Sequence, residues 1–235
     1  MNRWTDWLGI ELDVVSWREK AVAGAGGFSA ILLLVWLSQQ ALGHCGSAAV
    51  VASMGASAVL LFAIPHGPLS QPWPVIGGHC ISAFIGVCCA RWLGHPALAA
   101  GCAVGLAVLA MHHFKCIHPP GGATALTAVL GGAEVNDLGF SFVAFPVLTN
   151  GLAMLALAVL FNWGFAWRRY PASLRAPAAL PATPAEAPAP SHAEVVAALR
   201  QRDLFVDVSE EDLIELCRLI STSPWETRGA RPSGE

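Results

Sequence analysis

Seven of the chain's eight histidines fall between Lys20 and Glu134, a stretch with no acidic residue. Only Arg91 and Lys115 bring a full positive charge into it. An imidazole placed there has no carboxylate nearby in sequence to hold its proton. Its titration near neutrality suits it to carry a proton or to meet an anion. His66, His79 and His118 each stand beside a proline or glycine break. The plainer alternative is that they hydrogen-bond backbone groups which those breaks leave unpaired. His112, Cys116 and His118 make a second constellation. His112 and Cys116 would lie one helical turn apart, and with His118 they could ligate a soft metal such as copper or zinc. No carboxylate is at hand to complete that set, and methionines are few.

Hydroxyl donors come from two matching segments, Gly55-Ala56-Ser57-Ala58-Val59-Leu60 and Gly122-Ala123-Thr124-Ala125-Leu126-Thr127. Prolines and glycines crowd beside both, and repeated interrupted segments of this kind point to a transporter binding site. Before the second segment, Pro119-Pro120 suits a first helical turn and Gly121-Gly122 lets backbone come close to a ligand. A helix that begins inside a membrane leaves amide groups with partial positive charge, which bind a small anion without a formal countercharge. The competing reading is that small residues at this spacing merely let helices approach one another.

The elements that must position these groups are membrane spans. The chain is 55% hydrophobic and 12% charged, roughly half the usual charged share. Charge is costly in hydrocarbon, so the polar groups that stay inside mark a path or a site. Apolar stretches of span length run over about Ala21–Leu37, Cys45–Ile64, Val75–Leu93, Ala97–Phe114 and Phe142–Phe165. A shorter one runs from His118 to Gly132. Basic residues before the first span (Arg3, Arg18, Lys20) and after the last (Arg168, Arg169, Arg175) predict that both termini are cytoplasmic. That orientation requires an even number of crossings, so the short stretch completes six; as a re-entrant loop it would leave five. Arg91 is expected to snorkel, and Lys115 either snorkels or lines the path.

Four regions follow. Residues 1–20 read as an interfacial amphipathic helix, with Trp4, Trp7, Leu8, Leu12 and Val15 at helical spacing. Residues 21–169 form the membrane domain. Residues 170–191 are a Pro/Ala-rich linker. Residues 192–235 are a short helical cytoplasmic tail, with Ser191 and Glu194 as a capping box and Ser209 capping a second helix. The cysteines show no CxxC spacing and read as small apolar packers. No basic run suits nucleic acid. No paired carboxylates, nucleophile motif or nucleotide loop suggests an enzyme.

His118-Pro119-Pro120 with Gly121-Gly122-Ala123-Thr124-Ala125-Leu126 resembles the signature of the HPP family of integral membrane proteins. Met54-Gly55-Ala56-Ser57-Ala58-Val59-Leu60-Leu61-Phe62, Pro68-Leu69-Ser70-Gln71-Pro72 and Val75-Ile76-Gly77-Gly78-His79 match it in the family's order. The likeness covers about residues 20–165. It implies a multi-span helical protein, and plastid and cyanobacterial relatives are implicated in nitrite transport. Trp73 stands where the family often has Arg. Some bacterial members add CBS domains, and the tail here resembles only the linker before them.

The expected fold is all-α, a polytopic bundle of five to six segments with broken or half-length helices. The expected function is transport or channelling of a small inorganic anion, nitrite being the candidate, with proton coupling through His79 or His118. Gly55, Ser57, Gln71, Gly77, Gly78, His79, His118, Pro119, Pro120, Gly121, Gly122 and Thr124 would form the substrate site, with no cofactor. Partners would be the lipid bilayer, a small anion and further copies of the chain. The setting would be a bacterial inner membrane. The alternatives are a soft-metal-ion transporter and a membrane-anchored sensor or scaffold.

Overall fold

The computed structural model describes residues 15–174, without the side chains of 37, 38 and 40–51. The interfacial helix (but for its last residues), most of the linker and the tail lie outside the described residues. Every regular element among the described residues is helical: α1 (Trp17–Ala63), α2 (Pro72–Trp92), α3 (Pro96–His113), α4 (Pro120–Leu130), α5 (Ala133–Leu138) and α6 (Thr149–Trp163). A single turn Pro68–Ser70 precedes α2, and a kinked stretch Val143–Leu148 with Pro146 inside leads into α6. Pro72, Pro96 and Pro120 open α2, α3 and α4. Proline costs nothing in the first turn, because its missing N–H has no partner there anyway.

Among the described residues, four apolar helical stretches are long enough to span a membrane: Trp17–Trp36, Pro72–Trp92, Pro96–His113 and Val143–Trp163. Ala52–Ala63 and Pro120–Leu130 are shorter apolar helices. α1 is not a straight rod. A Cβ built on Gly26 would lie 2.4 Å from the Phe62 ring, whereas a straight helix would hold those residues roughly 50 Å apart. The chain therefore doubles back, and Ala30 and Leu34 pack with Met54, Ala58, Leu61 and Phe62 in one core that also takes Met154 and Ala158 of α6.

The first helix starts at Trp17 rather than at Ala21. That draws Glu19 into the bundle, a carboxylate the sequence reading assigned to an interfacial helix. It is tolerated because Arg168 reaches it as an ion pair, both side chains being buried. The same guanidinium donates to the carbonyl of Phe62, and its Nε donates to Asn162 Oδ1 at 3.0 Å. Arg168 is thus an internal countercharge and not a free topological signal. The pair also places the start of α1, the end of α1 and the segment after α6 at one end of the bundle.

α4 has 11 residues, about 16 Å of helix against a hydrocarbon layer of about 30 Å. It runs alongside α2 in the same direction, since Gly121 meets Gly78 and Ser82 while Ala125 and Ala128 meet Gly86. Gly78, Ser82 and Gly86 recur every four residues, one face of α2. Their small size permits this close crossing. Before α4, Phe114 accepts a hydrogen bond at 3.0 Å from Trp73 at the start of α2. After α4, Gly139 packs on Arg91 at the end of α2. The short segment and its lead-in therefore traverse the whole length of α2. Counted with the two legs of α1, the described residues make six passes through the bundle.

Candidate functional site

Two turns from the end of α1 and two turns into α2, four polar side chains meet. Ser57 Oγ lies 2.8 Å from His79 Nε2 and 2.9 Å from His118 Nε2. Thr124 Oγ1 lies 2.7 Å from the other ring nitrogen of His79. His118 Nδ1 lies 2.9 Å from the carbonyl of Leu69. A carbonyl only accepts, so His118 Nδ1 bears a proton. The two rings stand edge to face, 4.9 Å between centroids. All four side chains are buried. The matched segments of the sequence thus converge: Ser57 from one and Thr124 from the other grip opposite nitrogens of His79.

Glycines make the approach possible. A Cβ on Gly78 would fall 2.6 Å from His118 Cβ, and one on Gly77 would fall 3.0 Å from Cys116 Cβ. A Cβ on Gly121 would fall 2.8 Å from both the Gly78 carbonyl and Ser82 Oγ. The contacts at Gly78 and Gly121 need a residue without a side chain, and the one at Gly77 is tight. Pro120 is buried beneath them, and Pro119 is exposed.

Other expected site residues lie apart from this network. Gln71 is a strap: its amide donates to the carbonyls of Pro65 and Gly67, and its carbonyl accepts from the Ala172 amide at 3.0 Å. Gly55 and Gly122 are half-buried with open space where a Cβ would stand. The amides after the double proline are not presented to a solute. Gly121 N–H donates to the His118 carbonyl at 2.8 Å and Gly122 N–H to Pro119 at 3.0 Å. The expected amide cradle is closed by its own turn, and side chains take its place.

The soft-metal constellation does not form. α3 ends at His113, and Lys115 takes a left-handed backbone (φ 54°), so His112 and Cys116 are not successive turns of one helix. His112 is exposed while Cys116 and His118 are buried. No group of three metal-ligating side chains occurs among the described residues. His66 follows the plainer expectation, its Nε2 donating to the Arg169 carbonyl at 3.0 Å.

The loop from Pro65 to Gln71 covers the network. Leu69 supplies its carbonyl to His118, and Ser70 donates to Leu60. The segment after α6 holds this loop down, with Tyr170 donating to the Ser70 carbonyl at 2.7 Å. Burial pushes the Tyr170 phenol above its ordinary value. Tyr170 and Glu19 escape a reading of the sequence because their partners lie far along the chain; Asn162, whose contacts with Ala158 and Arg168 are local, matters only because Arg168 turns inward. At the other end of α2 a cleft of about 180 Å³ is lined by Val87, Arg91, Ala128, Val135, Asn136 and Gly139. The Arg91 guanidinium stands 5.3 Å from the Phe140 ring there.

A family profile described as HPP, transmembrane region, matches residues 12–171. The chain belongs to the HPP family. It is 35% identical over 165 residues to one transmembrane protein of Dictyostelium discoideum, covering 68% of this chain and 51% of the relative. A second Dictyostelium transmembrane protein is 33% identical over 165 residues, with 68% and 56% covered. The chain thus spans about half the length of the curated relatives it matches. No solved structure matches. All parts of the His–Ser–His–Thr network lie inside the HPP match. The chain is an integral membrane protein, and these likenesses do not point to a bacterial membrane or fix its orientation.

Proposed function

We propose that this HPP protein carries a small inorganic anion across the membrane, nitrite being the first candidate, and that it does so without enzyme chemistry. The observation that supports this reading is the convergence of His79 and His118 on one hydroxyl, Ser57, in a bundle interior with no acidic residue beside it among the described residues. A protonated imidazole there would be a positive charge in search of a counterion. Ser57 and Thr124 would turn their hydroxyls to the anion, and Gly78 and Gly121 keep α4 close enough to α2 for both hydroxyls to reach one site. The Pro65–Gln71 loop is joined to such a site through the Leu69 carbonyl on His118 Nδ1. Both termini would be cytoplasmic, in keeping with the basic residues Arg18, Lys20 and Arg169 at that end of the bundle. The test is uptake of nitrite, nitrate and chloride into proteoliposomes over a pH series. Flux that rises as pH falls, and that drops with His118→Gln or Thr124→Val, supports the reading. Absence of anion flux for wild type at every pH removes it.

A further inference from the structure

We infer that His79 and His118 form a single-proton site shared through Ser57, so that one proton accompanies each monovalent anion. The inference deepens the proposed anion transport and, for its stoichiometry, rests on it.

Hydrogen-bond bookkeeping carries the case. The Leu69 carbonyl fixes a proton on His118 Nδ1. In neutral His118, Nε2 is then an acceptor. Ser57 has one proton and three neighbours: His118 Nε2 at 2.9 Å, His79 Nε2 at 2.8 Å and the Ser53 carbonyl at 3.3 Å. With His118 neutral, Ser57 donates to it, and His79 Nε2 must donate to Ser57. The remaining nitrogen of His79 is then an acceptor and takes the Thr124 proton at 2.7 Å. Every donor and acceptor is used in one directed chain from Thr124 to Leu69.

Adding one proton leaves the network complete. Thr124 turns its hydrogen to the Pro120 carbonyl, 3.3 Å away, and His79 Nδ1 donates to Thr124 Oγ1. The charge can then sit on either ring. With the charge on His79, His79 Nε2 donates to Ser57 and Ser57 donates to His118. With the charge on His118, His118 Nε2 donates to Ser57 and Ser57 donates to His79. Moving between these states transfers one proton from the charged ring to Ser57 Oγ and one from Ser57 Oγ to the other ring. No hydrogen bond is lost and no further reactant is needed.

A second proton fails on charge. Ser57 could still turn to Ser53, but two imidazolium rings would stand 4.9 Å apart by their centroids. Like charges at that range disfavour one another strongly away from water. No countercharge faces them among the described residues. From α1 come Ser53 and Ser57, from α2 Ser82, from α3 Met111, from the lead-in to α4 the Cys116 thiol, and from α4 Thr124. Lys115 is exposed, and Glu19 is paired with Arg168. One proton and one monovalent anion carry no net charge, so transport is electroneutral.

Two measurements test this. In the first, purified full-length protein with ¹⁵N-labelled histidine is titrated by NMR, against His79→Gln and His118→Gln variants to assign the pair. One proton taken up by the pair, with both rings shifting together in wild type and separately in Ser57→Ala, is the expected result; Ser57→Thr restores the joint shift. Two protons, or independent rings in wild type, overturn the single-proton site. In the second, proteoliposomes report nitrite, nitrate or chloride flux and internal pH while potassium and valinomycin set the voltage. The expected result is one proton per anion, flux unchanged by voltage, and at least a tenfold loss of coupled flux in Ser57→Ala. Flux that follows voltage, or another ratio, overturns the coupling. No flux of any anion, with the shared proton still present by NMR, overturns the anion transport and the coupling together and leaves the single-proton site standing.

Discussion

Ser57 and Thr124, 67 positions apart in the sequence, hold opposite nitrogens of the same imidazole, His79, at 2.8 and 2.7 Å. Each hydroxyl stands at the corresponding place of one of two similar Gly-Ala-Ser/Thr-Ala segments. One is on the returning leg of α1 and the other on the half-length α4. The repeat is therefore a pair of hydroxyls built around a shared histidine, one able to accept from the ring while the other donates to it, which neither helix could hold alone.

Thr124→Val keeps the shape of the side chain and removes its hydroxyl. His79 Nδ1 is then left without a partner in a buried site. The expected loss is about 1–3 kcal/mol, read as a lower melting temperature in detergent. Thr124→Ser, which retains the donor, should recover most of it.

Glycine substitutions should separate by position. Gly78→Ala forces a methyl to 2.6 Å from His118 Cβ and 3.1 Å from the Cys116 carbonyl. Overpacking of that kind costs about 1–3 kcal/mol. Gly55→Ala and Gly122→Ala meet nothing within 4 Å in helices, and should leave stability equal or higher by about 0.5–1 kcal/mol. Thermal melts of the three variants check the order.

The Glu19–Arg168 pair should behave as a buried couple. Glu19→Gln leaves Arg168 charged and unpaired in the bundle, an expected loss of about 3–5 kcal/mol. The double variant Glu19→Gln with Arg168→Met should lose less than the two single losses added together. A double-mutant cycle by thermal melting measures the coupling.

Topology is testable with single cysteines in a cysteine-free background. Lys115→Cys lies beside the start of α2, and Asp137→Cys lies near its end, next to the Gly139–Arg91 contact. Membrane-impermeant maleimide should label the two from opposite faces. Labelling of both from one face would contradict six passes.

The Tyr170 strap predicts a pH response. Burial raises the folded value of its phenol, so its contribution is fully present below the unfolded value of about 10 and is lost only as pH rises beyond it. Melting curves of wild type and Tyr170→Phe should run parallel from pH 6 to 9. Their gap, about 0.5–1.5 kcal/mol, should narrow only in stronger alkali.

Composition and local spacing are enough to set the solvent and the parts. An acid-free apolar run leaves no stable choice but spanning helices, since unpaired backbone and charge are both costly in lipid. Prolines fixed where α2, α3 and α4 begin. The residues of the network were legible as Ser57, His79, His118 and Thr124, because polar groups in such a run are few. Their mutual geometry was not. It depends on how closely α4 can settle on α2, which Gly78 and Gly121 decide through contacts between distant segments. Local spacing made His112 and Cys116 look like neighbours, but the left-handed turn at Lys115 separated them. Local charge made Arg168 look like a surface signal, but the return of the chain after α6 brought it to Glu19. Periodicity reports which face a residue takes on its own helix; only packing between helices determines what that face meets.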